Sequence, residues 1–171
     1  MQKVDAAFFI EIELDDLEDY GFCYARDKPC RIQKIDYMRP NKKFKKRQTE
    51  EGEPEKIRAE VIAHNVWTDE EVWKGVINED PIKVPKAEWE HYEVVFVDHS
   101  GNGCRLMEKE TEDFEEIDTI YLPTEEKPNL VKELRECFAE HQDSDKTVFV
   151  KVLLMFGRKQ IYDYYVEQND I

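Results

Sequence analysis

Short stretches of period-two hydrophobicity, each closed by a polar or proline-bearing breaker, recur along the 171 residues and commit the chain to sheets. Residues 7–14 pass from a continuous apolar run, Ala7-Phe8-Phe9-Ile10, into the alternation Glu11-Ile12-Glu13-Leu14. Residues 31–35, 57–67 and 72–77 repeat the strand pattern, and Thr68-Asp69-Glu70-Glu71 between the last two predicts a hairpin. Asn78-Glu79-Asp80-Pro81 then interrupts the pattern. The short Ile82-Lys83-Val84-Pro85 suits an extended crossover, with a domain boundary near Val84 that divides the chain into 1–83 and 84–171.

The second half contains strand patterns at 93–97 and 104–107 around the turn Ser100-Gly101-Asn102-Gly103, and another at 117–122. One helix is expected from Pro128, because Leu130, Leu134, Cys137 and Phe138 fall at i, i+4, i+7 and i+8 and form a single apolar stripe. Strands at 148–155 and 160–166, joined by Gly157-Arg158-Lys159, complete the half. Five antiparallel strands with a helix between the third and fourth follow the OB-fold order. The expected class is mostly β.

Charge then singles out one segment. The chain carries 25 Lys+Arg against 40 Asp+Glu, a net charge of −15, yet residues 37–49 contain no acid and six bases: Arg39, Lys42, Lys43, Lys45, Lys46 and Arg47. A one-sign block between two apolar segments predicts a basic loop directed at an anionic partner, with RNA foremost. Two other readings stay open: a merely solvated loop, and a basic hexamer, Lys42 to Arg47, of the nuclear-import or heparin-binding kind.

Other residues offer less chemistry. Cys23, Cys30, Cys104 and Cys137 form no C-x-x-C pair and stand among apolar neighbours, as buried reduced thiols do. His64, His91, His99 and His141 lack metal-ligand spacing, so no metal is expected. Asp98-His99-Ser100 has the residue types of a hydrolase triad, but neighbours in a turn cannot converge as nucleophile, base and orienter. Gly101-Asn102-Gly103 lacks the context of a phosphate loop, and the chain has no nucleotide fingerprint. Trp67, Trp73 and Trp89 are assigned to the small cores, with stacking on nucleobases as the alternative. With no paired acid and base and no activated nucleophile, the chain is not expected to be an enzyme. No apolar run reaches the roughly 20 residues of a membrane helix, and the N-terminus has no secretory pattern, so the expectation is a cytoplasmic protein.

Several anchors carry a family resemblance. Gly21-Phe22 followed by Pro29-Cys30-Arg31-Ile32, Val84-Pro85, and Leu122-Pro123-Thr124-Glu125-Glu126 before the helix occur in the order found in translation factor 5A, the eukaryotic and archaeal relative of bacterial elongation factor P. The chain resembles that family from about Leu14 onward. The resemblance implies an N-terminal SH3-like barrel followed by the OB-fold barrel, with a loop lysine modified to hypusine by deoxyhypusine synthase. Counted from Cys30, the family's T-G-K-H-G loop aligns with Pro40-Asn41-Lys42-Lys43-Phe44, which puts Lys42 at the modified position. Asn41 and Phe44 replace the two loop glycines, and residues are inserted before the strand resumes at Ile57. The implied function is a ribosome-binding elongation or initiation factor that reaches peptidyl-tRNA from the exit site, with Arg39, Asn41, Lys42, Lys43, Lys45, Lys46 and Arg47 contacting RNA. The alternative is a hypusine-independent paralogue that binds RNA or the ribosome as a regulator.

Overall fold

The computed structural model describes residues 8–38, 57–78, 81–99, 101–108 and 117–169. The chain divides into two compact units, Met1–Lys86 and Ala87–Ile171. The first is an SH3-like half-barrel and the second an OB-fold barrel, so the chain is mostly β.

In the first unit, β1 (Phe9–Ile12) leads not into a longer strand but into α1 (Leu14–Tyr20). The alternation ending at Leu14 gives way because Leu14 and Leu17, three residues apart, share one side of a helical turn and are both buried. Asp15 and Asp16 in the first turn complement the helix dipole. Gly21 ends the helix at φ 82°, its N–H donating to the Leu17 carbonyl at 2.9 Å. That left-handed stop suits glycine, which has no Cβ to oppose it.

Strand β2 (Phe22–Ala25) then turns through Arg26 and Asp27 into β3 (Lys28–Met38). Both turn residues have positive φ, 51° and 60°, matching the twist of a two-residue hairpin. Strand β4 (Arg58–Asn65) and β5 (Glu71–Ile77) complete a four-stranded antiparallel sheet in the order β2-β3-β4-β5. Along β4, Ala59, Val61, Ala63 and Asn65 point inward. The sheet curls until Lys74 of β5 donates from Nζ to the Tyr24 carbonyl of β2 at 2.6 Å. Residues 82–85, expected as a free crossover, form β6 (Ile82–Pro85), which pairs antiparallel with β1 from Phe9↔Pro85 to Ile12↔Ile82. The Tyr20 hydroxyl donates to the Pro85 carbonyl at 2.5 Å and ties α1 to that strand. Leu17, Cys30, Val61 and Val84 form the centre of this core, all fully buried.

The second unit consists of β7 (Glu88–Val97), β8 (Gly103–Glu108), β9 (Ile117–Tyr121), α2 (Pro128–His141), β10 (Lys146–Met155) and β11 (Arg158–Gln168). Its sheet order is β11-β10-β7-β8-β9, all antiparallel, with β9 and β11 approaching each other to close the barrel. Helix α2 begins with Pro128 in its first turn and buries Val131 and Leu134 against Leu106, Val150, Val152 and Ile161. Each such side chain contributes about 1.5 to 3 kcal/mol by leaving water. Arg135 of α2 donates to the Asp98 and Gly101 carbonyls at 3.1 and 2.9 Å, fixing the β7–β8 turn. No helix among the described residues is long and apolar enough to cross a membrane.

Candidate nucleic-acid interface

The basic segment belongs to the connection between β3 and β4. Arg39, Asn41, Lys42, Lys43, Lys45, Lys46 and Arg47 all lie outside the described residues, whereas the two strand ends from which the connection departs and returns are defined. The β3–β4 ladder runs from Cys30↔Asn65 to Met38↔Arg58, with one irregularity between Ile32 and Lys34. Arg58 also pairs with Ile77 of β5, so Met38, Arg58 and Ile77 form the last rung of a three-strand row. Next to it, the Ile57 N–H donates to Asn78 Oδ1 at 2.9 Å and the Asn78 N–H to the Ile57 carbonyl at 3.0 Å. The base of the connection is therefore held on its β4 side by two hydrogen bonds besides the ladder.

The two faces of the sheet at this base differ. Tyr37 on β3 has its phenol pushed up, first by burial and then by the α1 carboxylates Glu18, Asp15 and Asp19. The outward face is open and mixes apolar with charged side chains. Val72 and Val76 of β5 point inward, so Trp73, Gly75 and Ile77 point outward by strand parity. Trp73 and Met38 are about half exposed, at 49% and 53%. With Arg58, Glu60, Gly75 and Ile77 they line a groove of about 540 Å³. Gly75 forms an open part of its wall, since a Cβ placed there would meet nothing within 4 Å. Trp73 Nε1 donates to Glu71 Oε1 at 3.2 Å, which fixes the indole edge.

The tryptophans correct the sequence reading, because none of the three is buried in a core. Trp73 faces outward, and Trp67 and Trp89 are half-buried. Trp89 stacks edge-on against Tyr162 with the Lys151 ammonium 3.9 Å from its ring centre. The signal for Trp73 was present in the alternation Val72-Trp73-Lys74-Gly75-Val76-Ile77, where two valines at i and i+4 fix the inward parity.

The four cysteines are free thiols, Cys23, Cys30 and Cys104 buried and Cys137 half-buried. Cys23 and Cys30 face each other across β2 and β3. Their mutual hydrogen bond pushes Cys23 up and Cys30 down, and burial adds to the rise at Cys23. Burial alone pushes Cys104 up to about 12. His64 bonds Gln33 through Nε2 and the Asp69 carbonyl through Nδ1, a local cross-strand role. Among the described residues no group of three His, Cys, Asp or Glu is placed to hold a metal ion.

These features define a two-unit β protein in which an SH3-like sheet carries a basic hairpin connection and an OB-fold barrel follows. No family model and no curated protein matches the sequence. Solved structures do. The chain is similar to a translation initiation factor eIF-5A family protein from Naegleria fowleri, with a TM-score of 0.61 at 20% identity, covering 92% of this chain and 98% of that one. It is also similar to a eukaryotic translation initiation factor 5A from Methanococcus jannaschii, with a TM-score of 0.58 at 12% identity, covering 98% of both chains. The likeness is one of fold: this chain has the two-unit architecture of the translation initiation factor 5A proteins.

Proposed function

We propose that the protein is a divergent, non-catalytic translation factor of the 5A type that works on the ribosome through the basic segment between β3 and β4. The observation that carries this reading is the position of the acid-free block 37–49, which starts in the last two residues of β3 and continues into the connection to β4, in a chain of which 92% and 98% is covered by two 5A structures. In the anchor-based alignment Lys42 is the residue presented to the acceptor end of peptidyl-tRNA and the one available to deoxyhypusine synthase. A long cationic side chain can pass between phosphates and donate charge-assisted hydrogen bonds, while the flanking bases add salt-dependent attraction. The acidic remainder of the chain, net −15 overall, limits indiscriminate binding.

Co-sedimentation with ribosomes tests the reading, alongside peptide mass mapping of Lys42 on protein from its natural host. Loss of co-sedimentation in Lys42→Ala, with a hypusine or deoxyhypusine mass increment on Lys42, is the expected result. Asn41 and Phe44 at the former glycine positions favour a second reading, a hypusine-independent paralogue. Binding that survives Lys42→Ala but fails when Lys43, Lys45, Lys46 and Arg47 are neutralised together supports that second reading. Turnover of a defined small substrate excludes both.

A further inference from the structure

We propose that the outward groove beside the last β3–β4 rung binds one unstacked, amino-bearing nucleobase of a single-stranded RNA segment, stacked on Trp73. The proposal deepens the RNA-directed reading of the adjacent basic segment and rests on it for the delivery of RNA to this end of the sheet. Three features of the groove select this occupant.

First, Trp73 is a platform. Its edge is fixed by Glu71, and among the described residues no ring or cation covers its face. Gly75, two residues along β5 on the same side, leaves the space beside the indole open. Any base can stack on such a surface, because every base presents a π face. Second, the Arg58 guanidinium makes no ion pair or hydrogen bond among the described residues, and the residue stands on the rung where the chain leaves for the basic segment. Its planar donors suit a phosphate oxygen. Third, Glu60 lies in the same groove and likewise has no partner among the described residues. A lone carboxylate repels phosphate but accepts hydrogen bonds from the exocyclic amine of adenine, cytosine or guanine, which uracil lacks. Lys34 and Asp36, on the neighbouring strand, are paired with each other at 3.3 Å and add little net charge.

The exposed apolar side chains of the second unit, Val95, Phe96 and Tyr121, are the weaker candidates for RNA. Residues 87–171 carry nine bases against 21 acids, so phosphate would be repelled from that unit.

The test uses the full chain and fluorescein-labelled A10, C10 and U10 oligoribonucleotides, with fluorescence anisotropy measured across a salt series. Wild-type protein should bind A10 and C10 more tightly than U10. Trp73→Ala should weaken A10 and C10 binding by roughly 5- to 150-fold, with Trp73→Phe restoring most of it. Glu60→Ala, which removes the acceptor, should erase the preference over U10, and Arg58→Gln should lower the slope of log K against log salt by about one. Neutralising Lys43, Lys45, Lys46 and Arg47 together reports on the basic segment separately. If that variant loses binding while Trp73→Ala keeps it, the groove assignment is wrong and the basic-segment reading stands. If Trp73→Ala loses binding and the neutralised variant keeps it, the groove stands and the basic-segment reading falls. Failure of wild-type protein to bind any of the three oligonucleotides overturns the groove assignment. Because Trp73 is exposed, an unchanged far-ultraviolet circular dichroism spectrum is expected for its variants and confirms that they fold.

Discussion

Replacing Leu14 or Leu17 by alanine should destabilise the first unit by similar, large amounts. The two side chains are 2% and 0% exposed in the same core, which they reach together only because residues 14–20 are helical. In an extended strand, positions three apart point to opposite faces, and one of the two would lie in solvent. Leucine-to-alanine changes at buried sites cost about 3 kcal/mol or more once the residual cavity is included. That is a factor of roughly 150 in the unfolding equilibrium. In urea the midpoint should fall by between about 1 and 3 M. Unfolding is best followed by hydrogen exchange and mass spectrometry, comparing peptides from 22–35 with peptides from 148–161, so that the two units report separately. Glu18→Ala, at an exposed position of the same helix, should stay within about 0.5 kcal/mol of wild type. A large loss for one leucine with little change for the other would refute the helix and restore an extended segment through residue 17.

Other expectations follow from turns, titration and thiols. Gly21→Ala should cost about 1 to 2 kcal/mol from its φ of 82°. It should cost more than Gly157→Ala, because its Cβ would also stand 3.1 Å from Arg31 Nη1 whereas that of Gly157, at φ 72°, meets open space; urea titration of each variant checks the order. The Tyr92 hydroxyl, and then the Lys159 ammonium 2.9 Å away, hold the Glu90 carboxyl below its ordinary value despite partial burial. A depressed carboxyl stabilises the fold above its unfolded pKa of about 4.3, and the contribution disappears as pH falls through the lower folded value. Glu90→Gln should therefore flatten the acid limb of second-unit stability measured by hydrogen exchange. Of the four thiols, Cys137 should alkylate first in native protein, since it alone is not fully buried, while Cys104, buried and pushed up to about 12, should react only on unfolding. Peptide mapping after timed iodoacetamide treatment gives the order.

The second unit was largely legible because its signals were long or chemically specific. Ten-residue strands, a glycine turn at 157 and a four-position apolar stripe from Leu130 to Phe138 each span enough residues to separate period two from period 3.6. The first unit hid its short elements. Helix α1 has only seven residues, four of them acidic, and Glu13 before it makes no side-chain cap bond, so the preceding alternation dominated. The β2–β3 turn uses Arg26 and Asp27 where glycine or asparagine would have marked positive φ. Strand β6 has four residues, too few for a period, and it became a strand only because β1 supplied a partner far back in the chain. The basic block was legible from charge alone. The groove beside it was not, because it depends on three strands placing Met38, Arg58 and Ile77 on one rung.

The pairing of Phe9 with Pro85 sets a schedule for synthesis. The two partners are separated by nearly the whole first unit, so this ladder can form only after Pro85 has left the ribosome. At roughly 5 to 20 residues per second, β1 waits on the order of 4 to 15 s for β6. Throughout that interval Phe9, Ile10 and Ile12 form an unpaired apolar edge on a nascent chain. The acidic residues around them, Glu11, Glu13, Asp15 and Asp16, are placed to act as gatekeepers that discourage pairing with neighbouring chains before the proper partner arrives.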